Sequence, residues 1–426
     1  MRRVAITGIG IISAAGLGIH ETWKRLHEAP PSPQPFAGPP PAHEISFPVY
    51  QAPDYELADL HVPERVVAWL KAENLSSARD LKHLIGSTAL ALGDAGLGVD
   101  YGEREPRVSV VAANESPGFE ELSDELFGLG IKGPFPSDPR ARYEGLSERF
   151  FQLNTFLLPF YLARAYRFGG MALFVNSACT SGLNALEVAA QQIRTGRTPV
   201  SVVAAADNPL STAKYLWFSS LGLYSGDGEI RPFDATQQGT IFGDGGAAII
   251  LEDLEAATAR NARIYAEYLG SGFAQDGWKI SVPSPTLARA VDAIQRAFED
   301  AGVAAADVDL VVPHGVGTSA SDSYESLVLN RVFSGEEVWP AVTAFKPLLG
   351  HNLGGSALLE LCLLLAAVEH QEVPPTLGHK TPFKRNPLPL VRDWQRRPIE
   401  VALKLTCGFA GYYGAALFSR LKPRNP

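Results

Sequence analysis

Cysteine is scarce in this chain: three residues, Cys179, Cys362 and Cys407, in 426. An odd, scattered set argues against a disulfide framework and for the reducing conditions of the cytoplasm. Neither a CxxC pair nor Cys and His at ligand spacing is present, so nothing points to a metal site. Long apolar runs are missing as well. Residues 361–368 form one of the longest, and Glu360 separates them from the apolar residues 357–359. A run of this length is too short to span a bilayer. Positive charge is in deficit, with 37 Lys and Arg against 46 Asp and Glu and a formal net charge of −9. That balance argues against nucleic-acid binding; an acidic protein partner can still dock, but only on a local basic patch. A full dinucleotide fingerprint is also lacking. Gly8 and Gly10 follow an apolar run, but Ser13 stands where GxGxxG needs its third glycine, and no acidic ribose ligand is evident further on. These glycines read as turn formers. The same segment resembles a signal peptide in outline, yet Thr7, Gly8, Gly10 and Ser13 break its apolar part, and a strand with a glycine turn fits better.

What is present is a globular composition, 46% hydrophobic and 19% charged, with length enough for two domains or one large duplicated one. Strand-like runs at 3–7, 108–112, 171–175, 200–206 and 247–251 alternate with helical patterns at 22–27, 78–95, 151–166 and 183–194. Pro159 is expected to kink the third of these helices. Residues 30–41 hold seven prolines and read as a semi-rigid surface loop. Residues 115–150 read as irregular and 252–262 as a connector. The order then restarts: strand 263–270, helix 286–301, strand 309–312, helix 322–332, strand 341–344, helix 355–369, and strands 400–406 and 413–420. Such alternation predicts an α/β architecture. The similar order in residues 1–255 and 256–426 predicts a duplicated fold, although no residue-by-residue repeat is visible.

One stretch carries the chemistry. Cys179 follows a short apolar run and precedes a helical pattern, so it belongs on a strand-to-helix turn. Unpaired amides and the helix dipole there favour a thiolate, and the small neighbours Ser177, Ala178, Ser181 and Gly182 leave the sulfur accessible. This window alone does not separate a nucleophile from an inert buried cysteine. Two of the nine histidines sit in comparable settings. His314 ends an apolar run and opens a glycine loop, and His351 lies between glycines before an apolar helix; the others read as surface or packing residues. Together these groups suit acyl-thioester chemistry. A thiolate attacks a thioester and stores the acyl group, while neutral imidazoles donate to an enolate oxygen. Lys346 can hold a neighbouring histidine by charge and hydrogen bonding, or be an ordinary solvated lysine.

The ordered set resembles the β-ketoacyl-acyl-carrier-protein synthases, the elongating ketosynthases of the thiolase superfamily. Ala178-Cys179-Thr180-Ser181-Gly182 is similar to the nucleophile motif. Arg231-Pro232-Phe233-Asp234 through Gly243-Asp244-Gly245 resembles RPFD…GEG, with aspartate for glutamate. His314-Gly315 through Asp322 and Glu325 follows the HGTST…D..E spacing, Lys346 to His351 follows KxxxGH, and Gly408-Phe409-Ala410-Gly411 resembles the GFGG turn. The resemblance implies a five-layered αβαβα fold and a decarboxylative Claisen condensation. Cys179 would accept the acyl chain, with its own amide and that of Phe409 as oxyanion hole. His314 and His351 would act on a malonyl-acyl-carrier protein, Lys346 would support them with Glu325 behind it, and Phe409 would gate the site. It also implies carrier-protein partners, a dimer (homodimeric in the usual case, heterodimeric as the variant), and no metal or organic cofactor.

Departures from the motifs, at Val316-Gly317, Pro347-Leu348-Leu349 and Ala410 to Gly414, favour a specialised chain or partner, as in polyketide or polyene assembly, over housekeeping fatty-acid synthesis. Two rivals stay open. A thiolase-like enzyme acting on coenzyme A esters would use Cys407 as acid and base. A non-catalytic chain-length subunit would only shape a partner's tunnel, although such subunits typically lack the cysteine.

Overall fold

The computed structural model of the chain describes residues 1–38, 44–76, 78–120 and 153–421, with isolated positions between 122 and 147. In chain order, β1 (Val4–Ser13), α1 (Arg79–Asp94), β2 (Ser109–Ala113), α2 (Leu157–Tyr166), β3 (Ala172–Val175), α3 (Ser181–Arg194), β4 (Val200–Asp207) and β5 (Gly245–Asp253) form a first series. A second series follows: β6 (Ala266–Gln275), α4 (Ala288–Ala301), β7 (Leu310–Val312), α5 (Ser319–Phe333), β8 (Ala341–Val342), α6 (Ser356–His370), β9 (Val401–Gly408) and β10 (Tyr412–Ser419). The strands lie in the order β3-β2-β4-β5-β1 and then β6-β10-β9-β7-β8. In each series the first strand pairs antiparallel with the last, the last antiparallel with the fourth, and the remaining pairs are parallel. The two series therefore share one topology. They meet where β1 and β6 pair antiparallel through Val4–Tyr268, Ala5–Glu267 and Ile6–Ala266.

Alternate residues of a strand face opposite sides, and the three largest cores among the described residues follow from that. Val111, Val203 and Ile249 of the first sheet join Leu183 and Leu186 of α3, Leu358 and Leu361 of α6, and Leu310 and Phe418 of the second sheet in one central core. Their neighbours Val110, Val202 and Ile250 face outward to α1 and α2. On the second sheet, Val311, Leu403 and Leu417 face outward to α4 and α5. The layers are helix, sheet, helix, sheet, helix: the duplicated thiolase-like αβαβα arrangement. A middle-layer helix meets apolar surface all round, which explains α6. The helical stretch Leu353–His370 is long and apolar enough to cross a membrane by length and composition, longer than the run 361–368 suggests; it lies mostly buried between the sheets.

Several sequence expectations need correction. Gly8 and Gly10 are not turn residues but lie inside β1. A side chain at either would come within 2.3 Å of Ala91 O or 2.0 Å of Ser87 O, so glycine is what lets α1 lie so close to the strand. The proline-rich segment is not simply loop, because Gln34–Ala37 pairs antiparallel with Ser46–Tyr50, which pairs in turn with Phe242–Gly243; its residues 39–41 fall outside the described residues. Pro159 causes no kink. It sits in the first turn of α2, where a missing N–H costs no intrahelical bond; the expected start of that helix at 151–152 and most of 121–150 also fall outside the described residues. The connector 252–262 contains the end of β5 and a short helix, Leu254–Ala259, capped by Asp253.

Candidate active site

The equivalent middle helices bring the two key groups together. Cys179 precedes α3 and His351 precedes α6, and their side chains meet, with Sγ 3.4 Å from Nε2 of His351. The helices can approach because position 182 has no side chain. A Cβ there would lie 3.2 Å from Leu358 N and 3.4 Å from Gly354 O. The backbone around the pair is strained: Ala178 (φ 52), Leu353 (φ 49), Phe233 (φ 57) and Ala410 (φ 60) are left-handed without being glycine. Such strain survives only where packing over-determines it, and functional sites are where it collects. The turn before Cys179 is braced by Thr180 Oγ1 donating to Ser177 O at 2.7 Å and by Asn184 Nδ2 donating to Ser177 Oγ at 2.9 Å.

Cys179 is nearly inaccessible, and burial, followed by the charge of Glu115, pushes its thiol well above the ordinary value. The expected preference for thiolate at the helix start is thus outweighed, and the resting sulfur is a thiol. His351 is held well below its usual value by burial and then by Lys346, so it rests neutral. Its Nδ1 lies 2.7 Å from Ser356 Oγ. That hydroxyl can rotate, so Nε2 can either accept the thiol proton or present its own N–H.

His314 follows β7, and its ring stands 5.6 Å from that of His351 at 83°. Lys346 Nζ lies 3.4 Å from His314 Nδ1 and donates to His314 O at 2.6 Å. An ammonium has no acceptor, so Nδ1 must be the unprotonated nitrogen and Nε2 carries the proton. Burial, then Lys346, holds this ring neutral too. Lys346 and Lys404 are fully buried and share one carboxylate, Glu360, each at 2.5 Å. Glu360 and Lys404 were missed by sequence reasoning. The signal for Glu360 was an acid interrupting an otherwise apolar helix; Lys404 had none.

Glu325 accepts the backbone amides of His314 at 2.6 Å and Gly315 at 2.9 Å and feels the charge of Lys346. Asp322, one turn earlier on α5, accepts those of Phe233, Val316 and Gly317 at 2.8, 3.1 and 3.2 Å. Burial pushes Asp322 up to about 7 and raises Glu325 against the pull of these amides. The i, i+3 spacing puts both acids on one helix face, where they hold the 314–317 loop. Asp244 lies elsewhere, in a buried ion pair with Arg79 and 2.9 Å from His83 Nε2.

Cys179, His314, His351, Cys407 and Phe409 line one chamber of about 90 Å³. Gly408 faces the nucleophile: a Cβ there would lie 3.2 Å from Cys179 N, so glycine keeps that amide clear. Phe409 packs edge-on against Trp217 and obliquely against Phe218, both at 5.6 Å. Cys407 is pushed up to about 12 by burial and touches Ser321 Oγ at 3.6 Å. Among the described residues no group of His, Cys, Asp and Glu could hold a metal ion. The chamber therefore offers a thiol, a proton acceptor beside it, and a fixed N–H donor.

Two family models match the chain: the beta-ketoacyl synthase N-terminal domain over residues 85–257 and the C-terminal domain over residues 265–380. The putative polyketide beta-ketoacyl synthase 1 of Streptomyces halstedii is 28% identical over 428 residues, with 98% of each chain covered. The 3-oxoacyl-(acyl-carrier-protein) synthase 2 of Rhizobium meliloti (strain 1021) is 28% identical over 452 residues, with 99% of each covered. Among solved structures, the ishigamide ketosynthase/chain length factor superposes with a TM-score of 0.84 at 27% identity over 99% of this chain and 100% of that one. A beta-ketoacyl synthase from Burkholderia phymatum STM815 gives 0.83 at 24% identity over 99% and 100%. Matched in both of its halves, the chain belongs to the β-ketoacyl synthase family, the condensing acyltransferases of the thiolase fold.

Proposed function

We propose that the chain condenses a Cys179-bound acyl group with a malonyl-acyl-carrier protein. His351 takes the thiol proton as sulfur attacks the incoming acyl thioester, and the carrier thiol leaves with a proton. The malonyl C–COO⁻ bond then breaks, CO₂ departs, and its electron pair forms an enolate. Nε2–H of His314, with that of His351, donates to the enolate oxygen. The enolate carbon attacks the acyl-Cys179 carbonyl, whose oxyanion is held by the amides of Cys179 and Phe409. The C–S bond breaks and β-ketoacyl-carrier leaves. Glu325 and Asp322 position the His314 loop, and Phe409 gates the chamber. The observation that carries this reading is the placing of Lys346 Nζ against His314 Nδ1, opposite a cysteine whose Sγ lies 3.4 Å from a second histidine. Mass spectrometry of acyl- and malonyl-carrier incubations tests it: wild type gives β-ketoacyl-carrier, and Cys179→Ala gives none.

The relatives span fatty-acid-type and polyketide-type synthases, and the motif departures favour a specialised polyketide or polyene pathway for this chain. Free cysteines fit a cytoplasmic site. We also assign the nucleophile to a half comprising residues 1–255 and the two histidines to one comprising 256–426, supported by their common strand order. A homodimer, or a heterodimer with a chain-length subunit, would pair through β3, whose outer edge has no neighbouring strand among the described residues and which lies near the exposed Phe160 and Met171; mass photometry distinguishes monomer from dimer. One observation favours the thiolase-like rival: Cys407 shares the chamber with Cys179. Cys407→Ala spares condensation on our reading; a loss matching Cys179→Ala would transfer the assignment to the thiolase-like enzyme.

A further inference from the structure

Lys404 takes no step in the condensation described above, yet it is fully buried against the residues that do. From β9 its Nζ lies 2.5 Å from Glu360 Oε2, 2.8 Å from Leu405 O and 3.2 Å from Pro313 O. Three acceptors therefore surround it. An ammonium has three protons to give and no lone pair, whereas a neutral amine would turn a lone pair on one of these oxygens. Burial works against the charge and Glu360 supports it; the acceptors fit the ammonium alone.

The charge matters through a count. Lys346 bonds the other oxygen of Glu360, and one ammonium with one carboxylate is a neutral pair. Lys404 is the second ammonium on that carboxylate, so the trio carries one net positive charge. It grips the His314 segment directly: Lys404 donates to Pro313 O, and Lys346 to His314 O, the next carbonyl in the chain. From α5, Glu325 and Asp322 accept amides of the same loop, and burial disfavours their ionised forms. The ring also faces neutral His351 and shares the chamber with the thiols of Cys179 and Cys407. Whatever charge Glu325 holds, removing Lys404 lowers the total by one. Burial, then Lys346, His351 and Lys404, oppose a second proton on His314.

That second proton would change the product. A neutral imidazole donates its Nε2–H to an enolate without giving it up, but an imidazolium is a far stronger acid. Once the C–COO⁻ bond has broken and CO₂ has left, the enolate's electron pair has two destinations, the acyl carbon on Cys179 or a proton. With an imidazolium at His314 the pair takes the Nε2 proton and a C–H bond forms. The ring returns to neutral with its proton on Nδ1, acetyl-carrier leaves, and the acyl group stays on sulfur.

Resting on the condensation proposed above, we propose that Lys404 is a positioning residue for the malonyl step: as the second ammonium on Glu360 it bars an imidazolium at His314, and so directs the enolate's electron pair to carbon rather than to a proton.

The test reads the partition between the two products. Acyl-loaded enzyme receives malonyl-carrier at values between about pH 6 and 8, and mass spectrometry resolves β-ketoacyl-carrier from acetyl-carrier. Wild type is expected to hold one ratio throughout. Lys404→Met leaves Glu360 paired with Lys346 and is expected to raise the acetyl share roughly tenfold at the acid end, the effect of one neighbouring charge. Lys404→Met combined with Glu360→Gln leaves Lys346 as a net positive charge and is expected to return the ratio to that of wild type. Lost packing or lost hydrogen bonds would not be mended by a second substitution. A wild-type ratio in Lys404→Met overturns the proposal, as does a double variant no better than the single one. Where a variant fails to fold, wild type decides alone: a flat ratio upholds the proposal, and an acetyl share that climbs as pH falls through about 6.5, the ordinary histidine value, overturns it. Absence of β-ketoacyl-carrier from wild type at every pH overturns the condensation reading instead, so the two failures are distinguishable.

Discussion

Replacing Lys346 with methionine separates the two chemical steps. The ammonium donates to Glu360 and to His314 O at 2.6 Å and lies 3.4 Å from His314 Nδ1. Methionine keeps the apolar length and removes the donors. Glu360 retains Lys404, so no charge is orphaned, and the loss stays below the ~3–5 kcal/mol of a broken buried pair. The carbonyl of His314 loses its short hydrogen bond and Nδ1 a longer contact, at about 1–3 kcal/mol in all, which urea unfolding reads as a lowered midpoint. Nothing then keeps the His314 proton on Nε2. Removing one donor from an oxyanion site costs about 10²–10³ in rate. Condensation should fall by between about tenfold and that limit. Acylation of Cys179 should fall far less, because the sulfur meets His351 rather than His314. Rapid-quench mass spectrometry gives acyl-Cys179 formation and its discharge by malonyl-carrier separately. Equal losses in both steps, or an unchanged discharge rate, would refute the role given to Lys346.

Two further outcomes follow from the buried charges. Because burial raises the Cys179 thiol and lowers His351, the pair rests neutral rather than as thiolate and imidazolium. Iodoacetamide alkylation of Cys179 should then climb with pH through 9 without levelling, as the thiolate fraction grows about tenfold per unit below the thiol's value; a plateau below pH 7 would show the ion pair instead. Glu360→Ala leaves Lys346 and Lys404 buried without their shared carboxylate and should cost about 3–5 kcal/mol, more than Lys346→Met. Equal unfolding midpoints for the two variants would contradict the shared-carboxylate arrangement.

The strand and helix order was legible because buried strands and middle helices must be apolar, and interruptions such as Gly196 and Gly302 mark their ends. Both end helices with positive φ just after or near the last turn. The pairing of Cys179 with His351 was also within reach, since each precedes a small-residue helix in an equivalent position. The support structure was not. Glu325 and Lys346 carry opposite charge and lie in neighbouring motifs, which invites pairing them; only the fold shows that Glu325 turns to backbone amides while Lys346 reaches Glu360, 14 residues on. Lys404 sits in a strand of apolar residues, where sequence offers no reason to expect a buried ammonium. Gly8 and Gly10 misled for a related reason: a glycine needed for close helix approach and one needed for a turn look alike until the helix above it is known.

The central claim is that Cys179 holds the acyl group that the enolate attacks. Intact-protein mass spectrometry, with peptide mapping, tests it in one sequence of additions. Acyl-carrier should add one acyl mass on Cys179, and malonyl-carrier should then return the protein to its free mass as β-ketoacyl-carrier appears. An adduct on Cys407, or an acyl-Cys179 that malonyl-carrier does not discharge, would contradict the account.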